Sequence, residues 1–266
     1  MADQLTAAHL SAAVLRGLHR PGNPLVLPNV WDAASARTIE GAGFPVVATS
    51  SAGVAQALGY SDGEAAPVDE IFAALGRIIR AVAVPVTVDV ERGYGLPVAE
   101  LVGRLAQIGA AGCNLEDSDP RTGELVDTGD QARFLSAVRQ AAVDAGIDLV
   151  LNARIDTYLI CAAAPRECLA DAIRRAHLYV EAGADCVYPI LARTPQAIGA
   201  LVRQIDAPLN VLFQSDGPSL AQLSELGVAR VSFGPGLHRA LEAHLARLVQ
   251  AIEAGDDPYR QPYPDG

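Results

Sequence analysis

The sequence predicts a closed parallel barrel of alternating strands and helices, the (β/α)8 TIM-type fold, on three observations. Short apolar runs of strand type recur eight times between residues 25 and 234, each followed by a helical pattern. Connections from helix to strand are short and contain glycine (GAGF, GAAG, AGID, AGAD, LGVA), as helix C-caps do, whereas two connections from strand to helix are long. Polar residues collect at the carboxyl ends of the strands, the end where barrels carry their sites. Eight βα units in about 250 residues is the barrel proportion. A doubly wound sheet would use fewer strands and would place G-x-G-x-x-G after the first, where none occurs.

Taken in order, the chain opens with an amphipathic helix over about 4–18. Asp3 precedes any basic residue, so this stretch lacks the basic start of a signal peptide. The strands are expected at 25–30, 45–51, 85–91, 112–117, 148–156, 185–191, 208–213 and 230–234. VDEIFAALGRIIRAV and AELVGRLAQIGA show the intervening helical period. The long connections are AGVAQALGYSDGEAAP after the second strand and SDPRTGELVDTGD after the fourth. No linker or low-complexity tract interrupts the pattern, so residues 1–266 read as one barrel domain with an irregular tail over about 255–266.

Composition removes several functional classes. A net charge of −11 argues against a nucleic-acid surface, and there is no run of about 18 apolar residues to span a membrane. Four cysteines without paired spacing suggest reduced thiols in a cytoplasmic protein. All 20 basic residues are arginine. Without lysine, Schiff-base aldolase, pyridoxal phosphate and P-loop chemistry are excluded. An enolate formed here would need a metal ion or arginine to stabilise it.

The strand exits carry a repeated pattern. PVTVDVERGYG places Asp89 and Glu91 two apart, hence on one face of the third strand. The fourth offers Asn114 and Glu116, with Asp117 on the other face; the fifth offers Asn152, Arg154 and Asp156. In a closed barrel one face of every strand looks at the axis, so Asp89, Glu91, Glu116 and Arg154 are expected to converge. Several carboxylates in one confined site call for a counter-charge, and Mg2+, with Mn2+ as a substitute, supplies it. Arg154 would then grip a substrate carboxylate in a two-pronged contact, or instead pair with Glu116. Asp32 reads as a helix cap and Asp117 as an outward residue. Tyr60 and Tyr94 either line the pocket or shield it. All five histidines fall in helix-like segments, Cys113 and Cys186 read as buried thiols, and FGPG after the eighth strand resembles a phosphate-binding turn opening a helix.

NVWDAASARTIEGAGFPVVATSSAGVAQALGYSDGE, then VDVERGYG, NLEDS and NARID, in that order from about 25 to 235, resemble the isocitrate lyase and phosphoenolpyruvate mutase superfamily. The resemblance implies a Mg2+-dependent barrel that makes or breaks C–C or P–C bonds of small keto or hydroxy acids through an enolate. It also implies a homo-oligomer, tetramer or dimer, with the last helix swapped between subunits. By position it makes Asp89 the main metal ligand, with Glu91 and Glu116 completing the metal set through bound water. Ser50, Ser51 and Ala52 would hold the substrate carboxylate, with Arg154 opposite and Asn210 contributing. Asp62 would close over the site, and Asp62, Arg154, Glu116 and Tyr60 form the catalytic set.

The departures choose among activities. Isocitrate and methylisocitrate lyases carry a lysine-, cysteine- and histidine-containing loop motif. The loop after Glu116, DSDPRTGELVDTGD, has none of these residues. The lysine and asparagine used by the mutase branch are missing as well; Arg121 and Thr122 are partial substitutes at best. The expectation is a lyase or decarboxylase of a small α-keto dicarboxylic acid, oxaloacetate decarboxylase-like or cleaving another C–C bond. The alternatives are P–C chemistry of the phosphonopyruvate or phosphoenolpyruvate mutase type, a keto-acid-binding protein with little catalysis, or a metal-free phosphate-ester site at FGPG.

Overall fold

The computed structural model describes residues 11–160 and 164–260. Residues 11–18 are helical (α1). There follow β1 (Leu25–Leu27), β2 (Asn29–Val30), α2 (Ala33–Gly41), β3 (Val47–Thr49), α3 (Ser51–Leu58), α4 (Val68–Arg80), β4 (Val86–Asp89), α5 (Val98–Ile108) and β5 (Gly112–Leu115). The second half runs α6 (Thr128–Asp144), β6 (Val150–Ile155), α7 (Thr157–Ile160), α8 (Pro165–Glu181), β7 (Cys186–Pro189), α9 (Pro195–Gln204), β8 (Asn210–Leu212), α10 (Leu220–Glu225), β9 (Arg230–Ser232) and α11 (Gly236–Glu253). Residues 254–260 carry no helix or strand; the rest of the expected tail and the start of the expected N-terminal helix lie outside the described residues.

All eight expected strands are present, and every pairing is parallel. The first is broken at Pro28, which has no N–H to donate to a ladder. Its first half, β1, pairs with β9, and its second half, β2, pairs with β3, so one stave joins the two sheets. The opposite seam is closed by the Val187–Leu209 bridge and by Val187 N–H donating to the Pro208 carbonyl at 3.0 Å. The amphipathic period of α4 buries Ile71, Phe72, Leu75 and Ile78 against the barrel, about 1.5–3 kcal/mol for each large side chain.

The amino end of the barrel is plugged by α1. Leu15 is fully buried in a cluster with Leu25, Leu27, Val46 and Val150. Gly112 is required there, because a Cβ would lie 2.7 Å from the Val150 carbonyl oxygen and 2.9 Å from Leu15. Arg16 fastens the plug, reaching Asp148 at 2.7 Å and Asp185 at 2.9 Å.

Three local expectations change, while Cys113 and Cys186 are buried as expected. The second strand stops at Thr49, and Ser51–Leu58 form a helix, so the first long connection is half helical. His19 follows α1 instead of lying in it, is buried, and has both ring nitrogens unpartnered. Burial lowers its pKa to about 3. Cys113 and Cys186 are buried free thiols, pushed up to about 12 by burial. Cys168 is disulfide-bonded, against the expectation of reduced thiols throughout; Cys161 lies outside the described residues.

Candidate active site

Two adjoining cavities of about 300 Å³ each open at the carboxyl ends of the strands. They share Asp62, Arg154 and Leu159. The first is lined by Ser50, Ser51, Ala52, Asp89 and Asn114, with Arg239 at its rim; the second by Glu91, Glu116, Ser118 and Asp119.

Asp89 ends β4. Its N–H donates to Thr49 Oγ1 at 2.9 Å, fixing it to the neighbouring strand. Ser50 caps α3 by accepting from Gly53 N–H at 3.3 Å, and that turn brings the helix's first amides to the cavity. Asp89 Oδ2 accepts from Ser51 Oγ at 2.8 Å and Ser51 N–H at 3.2 Å. Its Oδ1 is buried and accepts from nothing. An unpartnered buried carboxylate oxygen costs free energy that an apolar residue would not.

Glu91 stands just past the strand with φ of 49°, in the left-handed region. The strand alternation therefore does not govern it, although its carboxylate still reaches the second cavity. Glu91 Oε2 accepts from Glu64 N–H at 2.6 Å and Oε1 from the Tyr94 hydroxyl at 2.8 Å. Glu64, also at positive φ, in turn accepts from Tyr94 N–H at 2.6 Å and Arg92 N–H at 3.1 Å. Burial raises the Glu91 pKa to about 7 against the Tyr94 hydrogen bond, with Asp62 and Asp89 adding to it. Burial and Asp89 raise Asp62 as well.

Arg154 is held on both sides. Its Nη1 meets Glu116 Oε2 and its Nε meets Asp156 Oδ1, each at 2.6 Å. Burial works against the Arg154 charge, but Glu116, Asp156 and Asp89 outweigh it and raise its pKa. Burial also lifts Glu116 well above the carboxylate range despite Arg154. Of the two roles weighed for Arg154, the pairing with Glu116 is present, and the same side chain lines both cavities.

A divalent cation fits this donor set in one particular way. Among the described residues no three His, Cys, Asp or Glu side chains gather into a ready-made metal cluster. Mg2+ does not require one, since it takes one or two direct carboxylates and keeps several waters. Asp89 Oδ1 is the oxygen free for direct contact, whereas the oxygens of Glu91 and Glu116 already serve protein donors.

Two expected residues are not brought to the cavities. The Tyr60 hydroxyl donates to Glu70 at 3.0 Å on the exposed start of α4. Asn210 is fully buried behind the cavity wall, its Oδ1 accepting from Ser232 Oγ at 3.1 Å. Tyr94 supports Glu91, and Asp32 caps α2 with Ser35, as expected of a cap. Arg121 lines neither cavity but pairs with Asp119, which lines the second. His238 packs edge-on to Trp31 at 4.8 Å between ring centroids. The FGPG turn does reach the first cavity through Gly234 and Pro235.

Residues missed in the sequence include Glu64, Ser118 and Arg239, and the sequence marks Asn29 only as a polar residue at the exit of the first strand. Asn29 Oδ1 accepts from Phe233 and Gly234 N–H at 2.7 and 2.9 Å, and so sets the FGPG turn. Asn29 opens the two-residue NV strand, one position short of the end of the first stave. Arg239 lies one helical turn into α11, a spacing the FGPG pattern already contained.

Fold and site together define a (β/α)8 barrel with an oxygen-rich pocket around Arg154 at the strand ends. Comparison places the chain further. The family model of phosphoenolpyruvate phosphomutase matches residues 15–253. An uncharacterized Mycobacterium tuberculosis protein is 38% identical over 87% of both chains. The 2-methylisocitrate lyase of Aeropyrum pernix is 30% identical over 91% of this chain and 80% of its own. Among solved structures, a candidate phosphonomutase from Burkholderia cenocepacia is similar with a TM-score of 0.87 and 44% identity, over 90% of this chain and 99% of that one. Oxaloacetate acetylhydrolase in complex with oxalate gives a TM-score of 0.79 at 25% identity, over 92% and 88%. 2,3-Dimethylmalate lyase gives 0.81 at 25% identity, over 96% and 92%. The chain belongs to the phosphoenolpyruvate phosphomutase family, within the isocitrate lyase/phosphoenolpyruvate mutase superfamily of lyases and mutases.

Proposed function

We propose that this chain is a Mg2+-dependent lyase or decarboxylase of a small α-keto dicarboxylic acid, acting through an enolate. The observation that carries the reading is Asp89: one oxygen fixed by Ser51, the other buried, unpartnered and beside a cavity that also holds Arg154. Two of the structural relatives, by their names, act on oxaloacetate, an α-keto dicarboxylic acid, and on dimethylmalate, a hydroxy dicarboxylic acid of similar size.

Asp89 would be the single direct metal ligand, with Glu91 and Glu116 accepting from metal-bound water. Bound there, Mg2+ or Mn2+ supplies the positive charge that stabilises an enolate oxygen. The Ala52 amide, beside the Ser51 amide that already serves Asp89 at the positive end of α3, and the Arg154 guanidinium would hold the acid from two sides. Ser50 fixes the turn that presents those amides. As the C–C bond breaks, its electron pair moves onto the keto oxygen. Asp62, raised by burial and by Asp89, returns a proton to carbon from its carboxyl oxygen. Tyr60 and Asn210 take no part in this scheme. The loop over 117–130 lacks cysteine, lysine and histidine, which disfavours isocitrate and methylisocitrate cleavage.

One observation favours a second reading, P–C bond chemistry: Arg239 and the start of α11 face the first cavity and suit a phosphoryl group. Assay of oxaloacetate, phosphonopyruvate, 2-methylisocitrate and malate-type acids, with Mg2+ and with chelator, separates the readings. Mg2+-dependent loss of oxaloacetate or another keto dicarboxylate is expected. Turnover of phosphonopyruvate alone selects the second reading, and oxalate binding without any turnover selects a binding protein.

The surface suggests the partner. Leu241, Leu245, Val249 and Ile252 lie on one face of α11 and are 53–61% exposed. A second copy of this chain, exchanging α11, would cover them, and single glutamate substitutions at Leu245 or Val249 should lower the mass measured by sedimentation.

A further inference from the structure

We propose that Asn114 donates a hydrogen bond from Nδ2 to the bound acid, and that Arg230, buried beneath it, holds the amide in that orientation. This rests on the functional reading above and extends it to two residues outside that scheme.

Asn114 is the register partner of Asp89 across the β4–β5 ladder, and both line the first cavity. Its Oδ1 accepts from Asn152 Nδ2 at 2.8 Å and from Arg230 Nη2 at 3.4 Å. Arginine carries donors only, so the amide atom facing Arg230 has to be the oxygen. The Asn114 rotamer is therefore fixed by chemistry, with oxygen toward the barrel interior and Nδ2 away from it. Among the described residues the Asn114 side chain is hydrogen-bonded through Oδ1 alone, and its Nδ2 donates to none of them. A free donor beside the free acceptor Asp89 Oδ1 matches an acid whose oxygen meets a metal at Asp89 and a hydrogen bond at Asn114.

Arg230 has no other evident task. It is 1% exposed, its Nε and Nη1 have no hydrogen-bond partner, and its one side-chain hydrogen bond among the described residues is to Asn114. Barrel interiors are ordinarily filled with branched apolar side chains, and an arginine so placed is costly. The layer around it is polar throughout, with Thr87, Asn152 and Asn210 each leaving a buried atom unpartnered. Arg230 is thus a positioning residue acting through Asn114, and Asn114 the group that touches the ligand.

The test is calorimetric titration of oxalate, with saturating Mg2+, into the unsubstituted chain, Asn114→Leu, Asn114→Asp, Arg230→Met and Arg230→Lys, with thermal melts as the control for folding. Asn114→Leu should weaken oxalate at least tenfold, the worth of a hydrogen bond to a charged acceptor. Should that variant fail to fold, Asn114→Asp decides, since it keeps an acceptor facing Arg230 and Asn152 while losing the donor; it too should lose at least tenfold. Arg230→Met should lose threefold or more and Arg230→Lys should regain most of it. In the Asn114→Leu background, Arg230→Met should add nothing. Oxalate affinity within twofold of the unsubstituted chain in both Asn114 variants overturns the proposal. An Arg230→Met effect that persists undiminished without Asn114 overturns the positioning role. If the unsubstituted chain binds no oxalate with Mg2+, the functional reading itself fails and this inference with it.

Discussion

Glu116 and Asp117 are neighbours at the exit of β5, yet they serve opposite sides of the barrel wall. Asp117 turns outward into a closed network. It accepts from Asp156 N–H at 2.8 Å, Tyr179 hydroxyl at 2.7 Å and Arg175 Nη1 at 3.0 Å. Arg175 in turn also reaches Asp171 at 2.8 Å and the Val126 carbonyl at 3.0 Å. Glu116 turns inward toward Arg154, beside Asp62 and Glu91 in the second cavity; Arg154 and Asp62 also line the first, where Asp89 Oδ1 has no partner. Equal charge density on the two faces therefore means different things. Where every valence is met by protein, the network ties α6 and α8 to the wall; where valences are left open beside a cavity, they await a ligand.

That distinction can be broken by substitution. Asp89→Ala removes an open valence. It should lower Mg2+-dependent turnover by at least about 1000-fold, equivalent to roughly 4 kcal/mol, while the melting temperature stays the same or rises. A large loss of stability in that variant would place Asp89 with the structural residues. Arg175→Ala breaks the closed network and leaves Asp117 buried without its cation. It should cost about 3–5 kcal/mol in urea unfolding, with oxalate affinity of the folded fraction unaltered. Loss of oxalate binding without loss of stability would reverse the assignment.

His19 sharpens the comparison, because it is orphaned without a cavity. Its pKa is about 3 in the fold, depressed by burial from 6.5. The unfolded chain therefore binds this proton where the folded chain does not. The stability it lends is complete above about pH 6.5 and is lost as pH falls toward 3, at most ~1.4 kcal/mol per pH unit. His19→Leu should flatten that part of the stability-versus-pH curve and leave turnover unchanged. An unchanged slope, measured by urea unfolding from pH 4 to 7, would show that the ring is protonated or solvated in the fold.

The barrel was legible because strand period, helix period and glycine caps are local properties repeated eight times. Asp89, Glu116 and Arg154 were legible for the same reason, standing at strand ends where alternation gives direction. Legibility failed where the backbone leaves that rule. Glu91 and Glu64 take positive φ, so counting by two says nothing of where they point. Ser51 starts a helix, not a strand end, which made the amides at its N-terminus invisible to periodicity. Tyr60 looked like a pocket residue by proximity in sequence to Asp62, but a helix C-cap at Gly59 turns it toward Glu70. Arg230 sits at the start of an apolar strand and gave no signal, since sequence alone cannot show that an inward arginine lacks a partner.

The central claim is that Asp89 presents one free oxygen to a divalent ion that an acid chelates against Arg154. Crystals grown with Mn2+ and oxalate, with anomalous scattering recorded for manganese, test it most directly. The account predicts an anomalous peak in direct contact with Asp89 Oδ1, with oxalate bridging it to Arg154 and the first amides of α3. Manganese bound elsewhere, or oxalate held in the cavity with no metal beside Asp89, would contradict it.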